Sequence, residues 1–213
     1  MYKCPLCHSE KTSFHYEGES REYYACGNCE MVFVPEAFFV TSSVEKRKYE
    51  NHQNFPEDLV YQNYLKQIMD PVQERIVDGA VGLDFGCGPG PVLSQMFVAS
   101  GYETDVYDAY FAPCVEVFGK SYDFITACEV VEHFYKPQME LDRLFNMLRA
   151  NGILAIKTQL VPADGSFSQW YYKRDITHVS FFSEKSFRYL EDKWGAQLEF
   201  IKPNVFLFTK VDI

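Results

Sequence analysis

Two carboxylates and an imidazole lie close together in the stretch CEVVEHF, where Glu129, Glu132 and His133 occupy positions i, i+3 and i+4. If a helix begins at Glu129, this spacing brings the three side chains to one side. Such donors can hold a divalent ion, whose charge lowers the pKa of a bound hydroxyl. In a site without metal, His133 or the later His178 is a candidate general base, because an imidazole titrates near neutrality. Lining of a pocket and capping of a helix are the non-catalytic alternatives.

Four of the seven cysteines form two C-x-x-C pairs, CPLC and CGNC, separated by eighteen residues. This spacing is typical of a site in which four thiolates hold one tetrahedral Zn²⁺, and it predicts a zinc ribbon over residues 1–40. A closed four-cysteine site has no open coordination position, so we expect it to serve folding and docking and not catalysis. Ordinary reduced cysteines are the alternative. The expected ligands are Cys4, Cys7, Cys26 and Cys29.

A glycine-rich turn follows a strand-like apolar run in VGLDFGCGPGPVL. Gly86, Gly88 and Gly90 expose backbone N–H groups and leave room for a ligand beside the main chain. Pro91 stands where a dinucleotide fingerprint needs its third glycine, which argues against a nicotinamide or flavin cofactor. Asp108, twenty-two residues beyond Gly86, ends the next strand-like run and is placed to hydrogen-bond a ribose. The turn therefore predicts a nucleoside ligand.

Strand-like and helix-like runs alternate over residues 79–213, which predicts a mostly parallel sheet covered by helices on both faces. The last two strand-like runs, AQLEFI and VFLFTKV, are separated by KPN alone. Because this connection is too short for a crossover helix, the two runs should form an antiparallel hairpin. We therefore expect an α/β, doubly wound, Rossmann-like domain that places the glycine turn and Glu129 at the ends of two strands.

Residues 41–78 join the ribbon to this domain and are expected to form a helical linker or lid. Apolar residues from Leu59 to Val77 recur at helical spacing, and Pro71 marks a break, which predicts two helices. Groups able to hydrogen-bond precede them, where a lid could fold over a ligand; a solvated linker is the alternative. These groups include Tyr49, His52 and Asn54.

The chain resembles the class I S-adenosylmethionine-dependent methyltransferases in LDFGCGPGP, VYDAY, YDFITACEVVEHF and the terminal hairpin, over roughly residues 80–213. That resemblance implies a sheet of the seven-stranded type and a glycine turn that receives the methionine part of S-adenosylmethionine, with Asp108 on the ribose. The whole chain, ribbon included, is also similar to a group of bacterial methyltransferases. The implied cofactor-binding residues are Asp84, Gly86, Cys87, Gly88, Gly90, Asp108, Ala109, Tyr110, Cys128 and Glu129.

The segment between Asp108 and Tyr122 departs from this family. It has thirteen residues, where the family fits a helix, a third strand and a long loop that supplies part of the adenine pocket. It has room for a short strand at most. Ala109, Tyr110 and Phe111 are the candidates for adenine contacts.

The E-x-x-E-H element with a later histidine resembles two groups of metal-dependent O-methyltransferases. In the small-RNA 2′-O-methyltransferases the ligands are two Glu and two His, and in the ubiquinone-biosynthesis enzymes the E-x-x-E-H element alone contributes. The resemblance implies Mg²⁺ or Mn²⁺ held by Glu129, Glu132, His133 and His178. Because many class I methyltransferases carry the same element without metal, a metal-free site is the alternative.

Composition narrows the acceptor and the location. The formal net charge of −10 argues against an RNA substrate, since electrostatic binding of RNA needs clustered Lys and Arg. The absence of an apolar run of eighteen residues and of an export signal predicts a cytoplasmic protein without a membrane span.

Three aromatic residues could form the wall around a flat acceptor or pack in the core: Trp170, Tyr171 and Tyr172. We expect methyl transfer to a hydroxyl of a small molecule; RNA methylation and a non-catalytic cofactor- or protein-binding module are the alternatives.

Overall fold

The computed structural model describes residues 2–51 and 54–211, so His52 of the predicted lid lies outside the described residues. In the described chain no helix combines the length and the apolar character needed to cross a bilayer. The strands are β1 (Thr12–Glu17), β2 (Glu22–Cys26), β3 (Val32–Phe33), β4 (Val81–Phe85), β5 (Glu103–Tyr107), β6 (Tyr122–Cys128), β7 (Leu148–Lys157), β8 (Ser180–Phe181), β9 (Gln197–Lys202) and β10 (Val205–Thr209). The α-helices are α1 (Ser42–Tyr49), α2 (Leu59–Gln73), α3 (Val92–Ala99), α4 (Pro137–Asn146) and α5 (Glu184–Trp194).

Within the described residues, the larger sheet has six strands in the order β5-β4-β6-β7-β10-β9. Strands β4 to β7 are parallel, whereas β10 is antiparallel to both β7 and β9. This confirms the Rossmann-like class and the terminal hairpin. The expected seventh strand is absent from the described chain, because residues 109–121 hold only a bridge from Asp108 to Ala112 and a 3₁₀ helix, Val115–Gly119.

Apolar side chains on both faces of this sheet explain why helices cover it on both sides. Phe124 and Ile125 are neighbours on β6, and successive residues of a strand point to opposite faces. Phe124 belongs to a buried cluster with Leu65 of α2 and Phe97 of α3. Ile125 belongs to another with Leu144 of α4 and with residues of α5. The sheet is therefore the middle layer of a three-layer arrangement.

Helix α2 continues through Pro71, where the sequence predicted a break. Proline cannot donate the usual helical hydrogen bond, which destabilises a helix interior. Here Pro71 lies in the last turn of α2 and is buried, as are Ile68 and Val72 on either side of it. This packing offsets the lost bond, since tertiary burial outweighs intrinsic propensity. The two helices of residues 41–78 are therefore α1 and α2.

A second, smaller sheet has the strand order β1-β2-β3-β8 in the described chain. Its strands β1 to β3 come from the predicted ribbon, whereas β8 comes from the second half of the chain. Strand β8 pairs antiparallel with β3, so that Val32 lies opposite Phe181 and Phe33 opposite Ser180. The ribbon is thus joined by a shared sheet to the chain immediately after His178.

Candidate active site

A cavity of about 790 Å³ lies beyond the carboxyl ends of β4, β5 and β6. The glycine turn after β4 lines one end, and side chains that follow β6 line the other. Helices α1 and α2 contribute to its wall. The volume suits a cofactor-sized ligand, and ligands of open α/β sheets bind at this edge.

The glycine turn is held against β5 by its own backbone. The N–H groups of Gly86 and Cys87 donate to the Tyr107 carbonyl, at 2.7 and 3.2 Å. Gly86 and Gly88 have φ angles of 76° and 64°, in the left-handed region that favours glycine. A Cβ at Gly86 would lie 2.4 Å from a methyl carbon of Val130, so a larger residue does not fit there. The backbone of the turn therefore packs closely against Val130 and forms part of the cavity wall.

Asp108 links the glycine turn to the chain after β5. Its Oδ2 accepts the N–H of Gly88 at 3.1 Å, and its Oδ1 accepts the N–H groups of Tyr110 and Phe111 at 2.8 and 3.0 Å. An ionised carboxylate offers about four acceptor positions. One position on Asp108 therefore stays open for a ligand in the cavity that this residue lines.

Asp84 and Gly90 are the two predicted cofactor residues that the structure places outside the described cavity lining. Asp84 is buried beneath the turn, where its Oδ1 accepts from Thr126 Oγ1 at 3.1 Å and burial raises its pKa to about 6. Gly90 is covered, since a Cβ there would lie 2.5 Å from the carbonyl oxygen of Asn54. The predicted residues that line the cavity are Gly86, Cys87, Gly88, Asp108, Ala109, Tyr110, Cys128 and Glu129.

At the other end of the cavity, Glu132, His133 and His178 offer ligand atoms that all lie within 4.8 Å of one another. We refer to these three residues as the Glu-His-His cluster. The condition on which the spacing argument depended is not met, because no α-helix begins at Glu129: this residue has a φ of 54°, and Val131–His133 form a single 3₁₀ turn. This left-handed residue redirects the chain after β6, so the helical spacing assumed from the sequence does not apply.

Glu129 lines the cavity but does not belong to the cluster. Its Oε1 accepts from the Tyr64 hydroxyl at 2.6 Å, and its Oε2 accepts from the Tyr172 hydroxyl at 2.9 Å. The ammonium of the buried Lys157 lies 3.9 Å from Oε1. Both carboxylate oxygens of Glu129 are therefore engaged by protein groups, and of the four predicted ligands the structure brings Glu132, His133 and His178 together.

Glu132 is fully buried and has one oxygen available. Its Oε2 accepts from Thr158 Oγ1 at 2.9 Å, while Oε1 is the buried side-chain polar atom without a hydrogen-bond partner in the described residues. Burial and the nearby charge of Glu129 raise the pKa of Glu132 to about 8. A buried polar atom without a partner is unfavourable, and this oxygen is free to bind a group in the cavity that Glu132 lines.

Both histidines of the cluster are oriented by one loop, residues 172–178, which we call the histidine loop. The Nδ1 of His133 lies 3.2 Å from the Thr177 carbonyl oxygen, and the Nδ1 of His178 lies 2.8 Å from that of Tyr172. Each Nδ1–H therefore donates to a carbonyl, which leaves Nε2 unprotonated. Burial lowers the pKa of His133 to about 3 and that of His178 to about 4. Both imidazoles are neutral near pH 7, as a metal ligand or general base requires.

Helix α1 is fastened over the cavity through Glu45. This buried carboxylate accepts hydroxyl hydrogens from Tyr49 at 2.8 Å, Tyr110 at 2.7 Å and Tyr135 at 3.4 Å. With Tyr61 and Tyr64 of α2, these contacts make the two helices a cover of the cavity. Glu45, Tyr61 and Tyr64 were not identified as site residues from the sequence. The available signals were the spacing of Glu45 and Tyr49 at i, i+4 and that of Tyr61 and Tyr64 at i, i+3, which places each pair on one helix face.

The insert at residues 170–172 does not line the cavity in the described structure. Tyr172 is buried behind the site, where its ring packs 4.3 Å from that of His178, measured between centroids. Tyr172 therefore packs in the core, as the second of the two alternatives had it, and its hydroxyl holds Glu129 through the hydrogen bond to Oε2.

The four predicted ribbon sulfurs lie within 4.8 Å of one another. The two facing pairs are separated by 3.6 and 3.5 Å. Around a tetrahedral Zn²⁺ with Zn–S bonds of about 2.3 Å, sulfurs lie about 3.8 Å apart, so the residues fit that ion. The residues after the two pairs, His8 and Glu30, have matching φ angles of 55° and 57°. The two turns therefore present their sulfurs alike.

Comparison with known proteins agrees with this fold. A 1,6-didemethyltoxoflavin-N1-methyltransferase of Burkholderia thailandensis, crystallised with 1,6-didemethyltoxoflavin and S-adenosylhomocysteine, is 14% identical, with a TM-score of 0.50 over 94% of this chain and 100% of that chain. An O-methyltransferase family protein of the same organism is 12% identical, with a TM-score of 0.51 over 70% of this chain and 56% of that chain. At such identities the likeness shows the fold alone, that of a Rossmann-like methyltransferase.

The family model described as "Methyltransferase domain" matches residues 60–199, well over half of the chain. The protein therefore belongs to this methyltransferase family. A search of curated proteins finds no match to the chain. Its acceptor must accordingly be argued from the site.

Proposed function

We propose that the protein transfers the methyl group of S-adenosylmethionine to a hydroxyl of a small molecule. The observation that carries this proposal is that one cavity joins the glycine turn and Asp108 at one end to the Glu-His-His cluster at the other. Membership of the methyltransferase family supports the reaction class. The cover of the cavity by α1 and α2 and the net charge of −10 favour a small acceptor over RNA.

At the cofactor end, each part of S-adenosylmethionine is assigned its own contacts. The turn from Gly86 to Gly88 receives the methionine part, and the open acceptor position of Asp108 takes a ribose hydroxyl. Ala109, Tyr110 and Phe111 line the cavity next to Asp108 and are proposed to contact the adenine.

At the acceptor end, the chemistry demands little of the protein. The sulfonium already activates the methyl carbon, so the enzyme must align the acceptor oxygen in line with the methyl–sulfur bond and remove its proton. As the oxygen–carbon bond forms, the carbon–sulfur bond breaks, and its electron pair stays on sulfur. Both His133 and His178 line the cavity, and their Nε2 atoms are the proposed acceptors of this proton.

The Glu-His-His cluster fits a divalent ion. It combines the unpartnered Glu132 Oε1 with two imidazoles whose Nδ1–H groups donate to backbone carbonyls, and metal-bound histidines usually donate their other ring N–H in this way. We propose that Glu132, His133 and His178 would hold such an ion and that Glu129 is not a ligand. When bound, the ion would lower the pKa of the acceptor hydroxyl. Two imidazoles beside one carboxylate favour Mn²⁺ over Mg²⁺.

Titration with Mn²⁺ followed by electron paramagnetic resonance tests the metal without an acceptor. We expect the native protein to bind about one Mn²⁺ beyond its zinc, and Glu132→Gln to weaken that binding at least tenfold, about 1.4 kcal/mol. Glu129→Gln is the matched control and should retain the affinity. Equal Mn²⁺ affinity in the native protein and Glu132→Gln would discard the metal and leave proton removal to an imidazole.

Transfer of labelled methyl groups tests the proposed function itself. The protein is incubated with methyl-labelled S-adenosylmethionine and a cell lysate separated into metabolite, RNA and protein fractions. Label in the metabolite fraction, in a base-stable ether, is the expected result. Label in RNA or protein would overturn the small-molecule acceptor.

A further inference from the structure

The carbonyl groups of the histidine loop point in two directions. Those of Tyr172 and Thr177 face the active site and accept from the two imidazoles. Those of Lys173, Asp175 and Ile176, together with that of His178, face the opposite way, towards the ribbon. Because each peptide plane is rigid, fixing the planes on one side constrains the intervening planes on the other.

Arg21, at the β1–β2 turn of the ribbon, is the group that these outward carbonyls meet. Its Nη1 donates to the carbonyls of Ile176 and His178, both at 2.9 Å. Its Nη2 donates to those of Lys173 and Asp175, both at 2.6 Å. The side chain is buried, with 6% of its surface exposed. All four terminal contacts of the guanidinium thus serve one loop.

Tyr23 completes this arrangement from the neighbouring strand β2. Its hydroxyl accepts from Arg21 Nε at 2.8 Å and donates to the Lys173 carbonyl at 3.0 Å. The guanidinium therefore cannot rotate without breaking a bond at every nitrogen. Four convergent carbonyl dipoles would repel one another without the cation between them.

We propose that Arg21 is a positioning residue of the active site: through the histidine loop it sets the orientation and the tautomer of His133 and His178. The inference rests on the proposed function, because it assigns the ribbon a role in placing the two Nε2 atoms at the acceptor end. Arg21 does not touch the reacting groups itself. The ribbon is accordingly part of the framework of the active site, and a Zn²⁺ held by its four cysteines would support the β1–β2 turn and the strand that carry Arg21 and Tyr23.

Histidine-selective ¹⁵N labelling and long-range ¹H–¹⁵N correlation spectra test this directly, since they report the tautomer of each imidazole. The sample is the zinc-loaded full chain at neutral pH without cofactor or acceptor, so a failed methyl-transfer assay cannot affect the result. The native protein should show Nδ1–H tautomers at both His133 and His178. In Arg21→Gln both patterns should be lost through a second tautomer or exchange broadening. Arg188→Gln, an exposed arginine of α5, is the matched control and should leave both unchanged.

Two milder variants keep the test decisive if Arg21→Gln does not fold. Arg21→Lys keeps the charge but offers donors from a single point, so it cannot span four carbonyls and should still lose the pattern. Tyr23→Phe removes one loop contact and should give a smaller change in the same direction. Native His133 and His178 signals in both variants would overturn the proposal. So would a loss of S-adenosylhomocysteine affinity in parallel with the imidazole signals, because it would mean that Arg21 merely holds the fold together.

Discussion

The two ends of the cavity are assembled in different ways. Most of the proposed cofactor end comes from one continuous stretch, residues 85–111, in which the glycine turn, helix α3 and strand β5 follow one another. The proposed acceptor end gathers α1, α2, the turn after β6 and the histidine loop, which is hydrogen-bonded to Arg21 of the ribbon. Local geometry therefore determines the cofactor end, whereas tertiary packing determines the acceptor end. Substitutions at the two ends should separate binding of the cofactor from turnover.

The largest effect is expected at the acceptor end. His178→Ala should reduce turnover by roughly a hundredfold or more, because it removes a proposed base or metal ligand. The affinity for S-adenosylhomocysteine, measured by calorimetry, should stay within about twofold of the native value. His15→Ala, an exposed histidine of β1, is the control. Turnover is measured as methyl transfer to the lysate fraction that accepts the label. A native rate of transfer in His178→Ala would contradict the role of His178 as a base or metal ligand.

Beneath the cofactor end, Asp84 should make stability depend on pH. Its folded pKa of about 6 lies above its ordinary value, so the stability it contributes is complete in acid and is lost as the pH rises through 6. Between about pH 4 and pH 7, the native free energy of unfolding should fall relative to Asp84→Asn by on the order of 2 kcal/mol. Urea unfolding at both pH values checks this, with exposed Asp192→Asn as control. A difference that is independent of pH would refute it.

Cofactor affinity should depend on Asp108. Asp108→Ala should weaken S-adenosylhomocysteine binding at least tenfold, about 1.4 kcal/mol, because both the ribose contact and the support of the glycine turn are lost. The matched control for calorimetry is Glu103→Ala, an exposed residue at the start of β5, the strand that precedes Asp108. Unchanged affinity in Asp108→Ala would remove the ribose role and the contrast between the two ends.

The smallest effect concerns the contact between α2 and Glu129. Tyr64→Phe deletes the donor to Glu129 Oε1 and should lower the free energy of unfolding by about 1 kcal/mol. Tyr61→Phe removes a hydroxyl from the same helix but not this bond, so its unfolding curve is the reference. If the two variants unfold alike in urea, α2 does not hold Glu129 in place.

The sequence predicted the glycine turn between two parallel strands because the signals for it are contiguous, while binding of the cofactor there stays a prediction. The spacing of the glycines and the distance to Asp108 follow from strand and turn geometry, and the alternation of elements predicts which strand ends meet. The thirteen residues between Asp108 and Tyr122 left room for a short strand at most, and the resemblance implied a sheet of the seven-stranded type; the structure has a 3₁₀ helix there and six strands in this sheet of the described chain.

The acceptor end was predicted only in part. The residues of the Glu-His-His cluster were recognised in the sequence, but the spacing argument assumed a helix. Glu129 instead has a left-handed backbone conformation, which is uncommon for a glutamate and is not indicated by the residue type. The contacts of Arg21 span 155 residues to Ile176, and those of Glu45 span 65 residues to Tyr110. Such pairs leave no periodic pattern along the chain, so packing alone reveals them.

A crystal structure with bound S-adenosylhomocysteine would show whether one ligand reaches from the glycine turn to the Glu-His-His cluster, as the proposed methyl transfer requires. We expect a ribose hydroxyl on Asp108, the amino-acid part on the turn from Gly86 to Gly88, and the sulfur directed towards the Nε2 atoms of His133 and His178. A ligand whose sulfur is directed away from the Glu-His-His cluster, or one bound outside this cavity, would contradict it.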